Sequence, residues 1–120
     1  MDKFSIVIPV YNEEKNLRIL IPKIYQELKN RKFEIIVVDD NSTDNTSEIL
    51  KRIKRKNFFH LLRKGERDLS KSCILGFQRS KYNNLIVMDG DLQHKPSDIK
   101  KFLLVSRKSN PDIIVGTRDL

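Results

Sequence analysis

A single cysteine, Cys73, rules out an internal disulfide framework. A lone thiol suits a reducing compartment, and its place between Ser72 and Ile74 in an expected helix reads as packing rather than nucleophilic chemistry. No apolar run reaches the length of a membrane-crossing helix. Met1-Asp2-Lys3 leads straight into a strand, without the charged lead and apolar segment of a secretory signal. Glycine-rich nucleotide loops are missing as well. No G-x-G-x-x-G follows the first strand, which argues against dinucleotide binding of the Rossmann kind, and no G-x-x-x-x-G-K-[ST] phosphate loop exists. His60 and His94 lack zinc-ligand spacing to other His or Cys residues. His60 falls within an expected strand and reads as structural, whereas His94 adjoins an acidic turn. No hairpin dipeptide joins one strand to the next, and internal repeats and low-complexity linkers are absent too.

What remains is 120 residues, 38% of them apolar, enough for one domain with a real core. The net charge of +8, from 24 basic and 16 acidic residues, favours anionic partners. Much of the excess lies in Lys51-Arg52-Ile53-Lys54-Arg55-Lys56. Cations at the end of a helical pattern complement the helix dipole, so this run reads first as a solvated face, and next as attraction to an anionic membrane surface. No aromatics are interleaved for base stacking, so no nucleic-acid partner is expected.

Along the chain, β-rich apolar runs alternate with helical stripes. Phe4 to Val10 reads as a buried strand in which Pro9, with no N–H to donate, should end regular pairing. Leu17, Leu20, Ile21, Ile24 and Leu28 mark one face of a helix, which Pro22 should kink or re-start. Phe33 to Val38 is a second strand ending in Asp39-Asp40. The loop Asn41 to Asn45 is rich in capping side chains, and Ile49, Leu50 and Ile53 continue as a helix. Phe58 to Leu62 is a third strand, followed by the charged loop Arg63 to Asp68. A helix from Leu69 to Arg79 should turn Cys73, Ile74 and Phe77 inward. Leu85 to Met88 is a fourth strand. Pro96 opens another helix, with Phe102, Leu103 and Val105 facing inward, before a fifth strand over Asp112 to Val115. Such alternation predicts an α/β fold: a Rossmann-like, mostly parallel sheet with right-handed crossovers and strands covered on both faces.

In sheets of this kind ligands bind beyond the carboxyl ends of the strands. Those ends supply Pro9, Tyr11, Asn12 and Glu13 at the first, Asp39 and Asp40 at the second, Asp89, Asp91 and Gln93 at the fourth, and Thr117 and Arg118 at the fifth. Asp89-Gly90-Asp91 by itself is also a common strand-end turn. Gathered carboxylates repel unless protonated or bridged by a cation. Two carboxylates with a neighbouring amide oxygen suit a hard divalent ion, Mg2+ or Mn2+, which in turn can carry a diphosphate. Arg118 is placed to pair with the same phosphates, the second acidic end to accept from nucleoside N–H or O–H groups, and Tyr11 to stack on a base.

Four segments, Ile8-Pro9-Val10-Tyr11-Asn12-Glu13, Val37 to Asp44, Asp89 to His94 and Gly116-Thr117-Arg118, occur in an order that resembles the family 2 glycosyltransferases of GT-A fold. The D-x-D-L-Q-H form, with Arg67-Asp68-Leu69-Ser70-Lys71-Ser72 through Gly76-Phe77, is similar to the dolichol- and polyprenol-phosphate mannosyltransferases. The resemblance spans essentially the whole chain. It implies that Pro9, Tyr11, Glu13, Val38 and Asp40 hold the nucleoside, that Asp89 and Asp91 bind the metal with Gln93 as a further ligand or near neighbour, that Gly90 admits the diphosphate, and that Arg118 contacts its phosphates. The implied donor is a nucleoside-diphosphate sugar, GDP-mannose in the subgroup, and the implied acceptor a polyprenyl phosphate in a membrane. Transfer would invert the anomeric centre.

Charge grows on the departing diphosphate, where a cation and Arg118 would stabilise it. A phosphate monoester is already anionic near neutral pH, its second pKa being about 6, so no catalytic base is assigned. Family members continue beyond the G-T-R segment. Residues 1–120 are therefore expected to be the nucleotide-sugar-binding part of a catalytic domain, truncated after the fifth strand and lacking the acceptor part, so that donor binding exceeds turnover. The expected location is cytoplasmic, or peripheral on the cytoplasmic face of a membrane. Two other classes compete: a receiver-type phospho-acceptor module, which shares the length and the acidic cluster, and a non-catalytic nucleotide-sugar-binding module.

Overall fold

Alternating apolar strands and amphipathic helices assemble into a sheet that the computed structural model describes over residues 3–90 and 113–115. In chain order the elements are β1 (Lys3–Val10), α1 (Glu14–Glu27), β2 (Lys32–Asp39), α2 (Thr46–Lys51), β3 (Phe58–Leu62), α3 (Leu69–Arg79), β4 (Leu85–Val87) and β5 (Ile113–Val115). Their order across the sheet is β3-β2-β1-β4-β5, and each neighbouring pair is parallel. The expected α/β architecture is therefore present. The expected helix from Pro96, with Phe102, Leu103 and Val105, lies outside the described residues.

The period-2 alternation of β1 and β2 sorts their side chains onto two faces. Phe4, Ile6, Ile8 and Val10 of β1 and Phe33, Ile35 and Val37 of β2 pack with Leu17, Leu20, Ile21, Ile24 and Leu28 of the first helical segment. Val7, Ile36 and Val38 point the other way, and Phe59, Leu61, Leu75 and Phe77 close over them. Both faces of the central strands are thus covered, as near-continuous apolar runs in parallel sheets require.

Several local expectations change. Pairing of β1 does not stop at Pro9: the register with β2 runs on through Pro9↔Val38 to Val10↔Asp39. Ser5 N–H donates to Asn84 and Val7 C=O accepts from Met88 N–H, while Val10 C=O accepts from Asp40 N–H. Backbone groups alternate sides along a strand, so Pro9 presents its missing donor toward β4, where paired register ends at Val7↔Val87. Pro22 lies inside a continuous α1. Ile53 is not helical, because α2 ends at Lys51 after only six residues. The basic run therefore leaves the helix at once, and Arg55 lies 4.1 Å from the ring centre of Tyr25.

The inner face of α3 is the expected one only at Phe77, which packs against Val7, Ile36 and Val38. Ser72 and Gly76 are buried, whereas Ile74 is 52% exposed and Cys73 only half-buried. Contact distance explains the difference. A Cβ on Gly76 would lie 2.4 Å from Val7 Cγ1 and 3.3 Å from Val38 Cγ2. Small residues one turn apart let the helix sit directly on β1 and β2, and the larger Ile74 is turned outward.

Gly76→Ala should accordingly destabilise the fold by about 1–3 kcal/mol through overpacking, while Ile74→Ala should cost less than about 0.5 kcal/mol; urea unfolding of both variants measures the contrast. A second expectation concerns alkaline pH. Burial pushes the Tyr25 phenol up from its usual 10 to about 12, opposed in part by Arg55. The folded state favours the neutral phenol, so its contribution is complete below pH 10 and is lost as pH rises through about 12. Tyr25→Phe should flatten the pH dependence of Tm over that window relative to the parent chain.

Candidate functional site

From β1 the chain steps outward to β2 and β3, then returns across the sheet to β4 on the other side of β1. Such a reversal leaves a crevice beyond the carboxyl ends of the strands that flank it, since their connections diverge to opposite faces. A cleft of about 170 Å³ opens there, lined by Pro9, Val10, Tyr11 and Glu13 after β1, Asp40 after β2, Arg67, Leu69 and Ser72 at the start of α3, and Asp89 and Gly90 after β4.

Asparagines set the β1 and β2 ends. Asn12 and Asn41 hold left-handed backbone conformations, with φ of 53° and 60°, which Asn tolerates better than most residues. Asn12 Oδ1 accepts from Thr43 N–H at 2.8 Å and its Nδ2 donates to Thr43 Oγ1 at 3.1 Å. Asn12 N–H donates to Ser42 Oγ, and Glu13 N–H to Thr46 Oγ1. The two loops are thereby joined side chain to backbone, and Tyr11 and Glu13 are carried on a fixed turn. Asp44, which accepts from the Thr46 backbone and hydroxyl, has its pKa lowered: slight desolvation raises it, and the hydrogen bonds around Thr46 outweigh that.

Asp40 is 3% exposed and already doubly held. Arg63 Nη1 donates to its Oδ1 at 2.6 Å, and the N–H of Asp68 donates to its Oδ2 at 2.7 Å. Asp68 in turn caps α3 by accepting from Lys71 N–H. One buried carboxylate therefore ties the end of β2 to the end of β3 and the start of α3. Asp39 takes no part in the cleft; its Oδ1 accepts from Ser42 N–H and its Oδ2 is buried without a partner.

Tyr11 presents its ring as expected, but the guanidinium of Arg67 lies 4.5 Å from the ring centre, so a base stacking on that face would displace or share with Arg67. Gly90 serves packing: a Cβ there would lie 2.6 Å from Val10 Cγ1, so only glycine lets the chain leave β4 against the end of β1. Asp89 stands beside it on the cleft wall, and its negative charge, after burial, is the second cause that raises the Cys73 thiol pKa.

Of the residues expected from sequence, the cleft gathers Pro9, Tyr11, Glu13, Asp40, Asp89 and Gly90. Val38 does not line it, being fully buried beneath α3. Asp91, Gln93, His94, Thr117 and Arg118 lie outside the described residues. No group of three metal-ligating side chains occurs among the described residues. Asp89 alone of the expected ligands can be placed, and a carboxylate at the cleft wall is the hard oxygen donor that Mg2+ or Mn2+ takes. Sequence reasoning gave no role to Arg63, Arg67 or Ser72. Their signal was the segment from Arg67 to Phe77, which carried the family resemblance without a function for its members.

Removing the cation from the Asp40 clamp leaves a buried carboxylate short of a charge partner. Arg63→Met should cost about 3 kcal/mol, read as a lowered urea midpoint, whereas the exposed pair Glu48–Lys51 should be nearly silent when broken.

Comparison with known proteins identifies the family and the fold. The family described as Glycosyl transferase family 2 matches residues 5–120. Dolichol-phosphate mannosyltransferase of Pyrococcus furiosus is 39% identical over 117 residues, covering 97% of this chain and 33% of that relative. The chain thus spans about a third of the length of that relative. Among solved structures, S. aureus TarS superposes with a TM-score of 0.70 at 22% identity, over 89% of this chain and 32% of its own. The mannosyltransferase PcManGT from Pyrobaculum calidifontis, solved with GDP-Man and Mn2+, gives 0.67 at 21% identity, over 73% of this chain and 27% of its own. At those identities the two structures speak to the fold, which is of GT-A type. The family match sets aside the receiver-type reading, whose acidic pair would follow the first strand where this chain has Pro9 and Tyr11. The chain belongs to glycosyltransferase family 2.

Proposed function

We propose that residues 1–120 carry the donor-binding part of a glycosyltransferase that moves mannose from GDP-mannose to a polyprenyl or dolichyl phosphate, with inversion. The observation that carries this reading is the cleft at the β1–β4 reversal, where Tyr11, Glu13, Asp40 and Asp89 converge. The choice of sugar and lipid is supported by the name of the Pyrococcus furiosus relative, and the choice of nucleotide and ion by the ligands of the Pyrobaculum structure.

In this reading the wall formed by Pro9, Tyr11, Glu13 and Asp40 takes the nucleoside. Asp40, held rigid by Arg63 and Asp68, offers lone pairs to N–H or O–H donors without losing its place. Asp89, Asp91 and Gln93 would hold Mg2+ or Mn2+; their carboxylate and amide oxygens fit a hard cation. The cation supplies Lewis-acid stabilisation of the leaving diphosphate. Arg118 pairs with the same phosphates. The acceptor arrives ionised, so the chain need supply no base, and its task is to fix the donor with its anomeric carbon toward the attacking oxygen. No described helix is long and apolar enough to cross a membrane. We place the work at the cytoplasmic face, with the lipid acceptor brought from the bilayer.

Calorimetric titration of GDP-mannose, with UDP- and dTDP-sugars alongside, checks the reading. Binding should require Mn2+ or Mg2+, favour the guanine donor, and weaken at least tenfold in Asp91→Ala. Metal-independent binding that survives the substitution would sink the proposed site.

A further inference from the structure

Among the described residues, Ser72 is the one side chain on the cleft wall whose polar atom is buried with nothing to bond. The residue is 0% exposed and lines the cleft, and its Oγ has no hydrogen-bond partner. A serine inside a helix commonly returns its hydroxyl to the carbonyl four residues back. Here that carbonyl, on Asp68, accepts from Ser72 N–H at 3.1 Å, and the hydroxyl makes no bond to it. Buried polar atoms are nearly always partnered, and an orphan calls for a reason.

Its position gives the reason. Gly76 rests on Val7 and Val38, and Ser72 lies one helical turn toward the start of α3. A turn rises about 5.4 Å, close to the advance of two residues along a strand. The same step along β1 and β2, from Val7 and Val38, ends at Pro9 and Asp40. Ser72 is thereby set against the ends of β1 and β2. We propose that Ser72 is a donor-binding residue whose hydroxyl, buried in the cleft lining it shares with Asp40, is uncovered on donor binding and completes its hydrogen bonding on the nucleoside, base or ribose. This rests on the donor-site reading above and adds a residue to it.

The pairing has a chemical logic. Asp40, as a carboxylate, can only accept, and two of its lone pairs are committed to Arg63 and Asp68. A hydroxyl both donates and accepts, so Ser72 adds a donor to those that Arg67 and the Tyr11 hydroxyl bring to the cleft lining. Ordering of the hydroxyl by ligand means that the nucleoside satisfies a group the empty protein leaves unsatisfied. Its loss should therefore be felt in binding and not in folding.

The experiment compares the parent chain with Ser72→Ala by calorimetry against GDP, UDP and inorganic pyrophosphate, each with Mn2+, together with the Tm of the ligand-free proteins. The expected result is nucleotide affinity weakened about two- to tenfold, the range of one ordinary hydrogen bond, with pyrophosphate affinity unchanged and Tm equal or higher. Unchanged nucleotide affinity, an equal loss for pyrophosphate, or a lowered Tm would each overturn the assignment. A parent chain that binds no nucleotide at all would instead overturn the donor-site reading, and the role of Ser72 with it.

Discussion

The carboxylate of Asp40 holds the working end of this molecule together. It is buried at the end of β2, clamped by the Arg63 guanidinium after β3 and by the backbone N–H of Asp68 before α3. A buried charge of this kind is tolerable only when fully paired. Its partners come from the two ends of one loop, within which Arg63 also donates to the Glu66 carbonyl. The pair therefore fixes the loop Arg63–Asp68 and, through the cap that Asp68 places on Lys71 N–H, the entry of α3. Arg67 and Ser72 reach the cleft because of that fixing.

A second constraint is close packing. β1 is buried on both faces, and α3 crosses it closely enough that Gly76 leaves no room for a methyl group beside Val7. Gly90 does the same against Val10 at the end of β4. Two glycines thus set the depth of the cleft, one by lowering its α3 wall onto the sheet and the other by bringing Asp89 alongside Tyr11 and Glu13. Packing density places the groups that line the cleft. The cross-links between Asn12 and the Ser42–Thr43 turn stiffen the remaining side, so the site rests on short loops braced by rigid elements.

Much of this was legible from the residues. Near-continuous apolar runs and period-3.6 stripes marked β1 through α3 closely, because such patterns can be buried only as covered strands and one-sided helices. The clustering of Pro9, Tyr11, Glu13, Asp40 and Asp89 followed from parallel topology, which sends every strand end to the same rim. Less legible were details set by neighbours distant in sequence. The helical pattern turns Ile74 inward and gives Ser72 no role of its own. Pro9 by itself reads as the end of pairing, although a missing N–H matters only on the side where a partner strand seeks it. Val38, at an apolar strand end, was expected at the ligand and instead lies under α3.

The sequence by itself determined the fold class, the family and the kind of chemistry that gathers at the strand ends, since these depend on residue type, spacing and order along the chain. Tertiary structure decided which groups face the cleft and in what state. It showed that Asp40 is already engaged, that Arg67 lies over Tyr11, and that the Ser72 hydroxyl is buried without a partner. Those outcomes depend on distances of a few ångströms between segments tens of residues apart, and such distances are fixed only when helices and sheet pack.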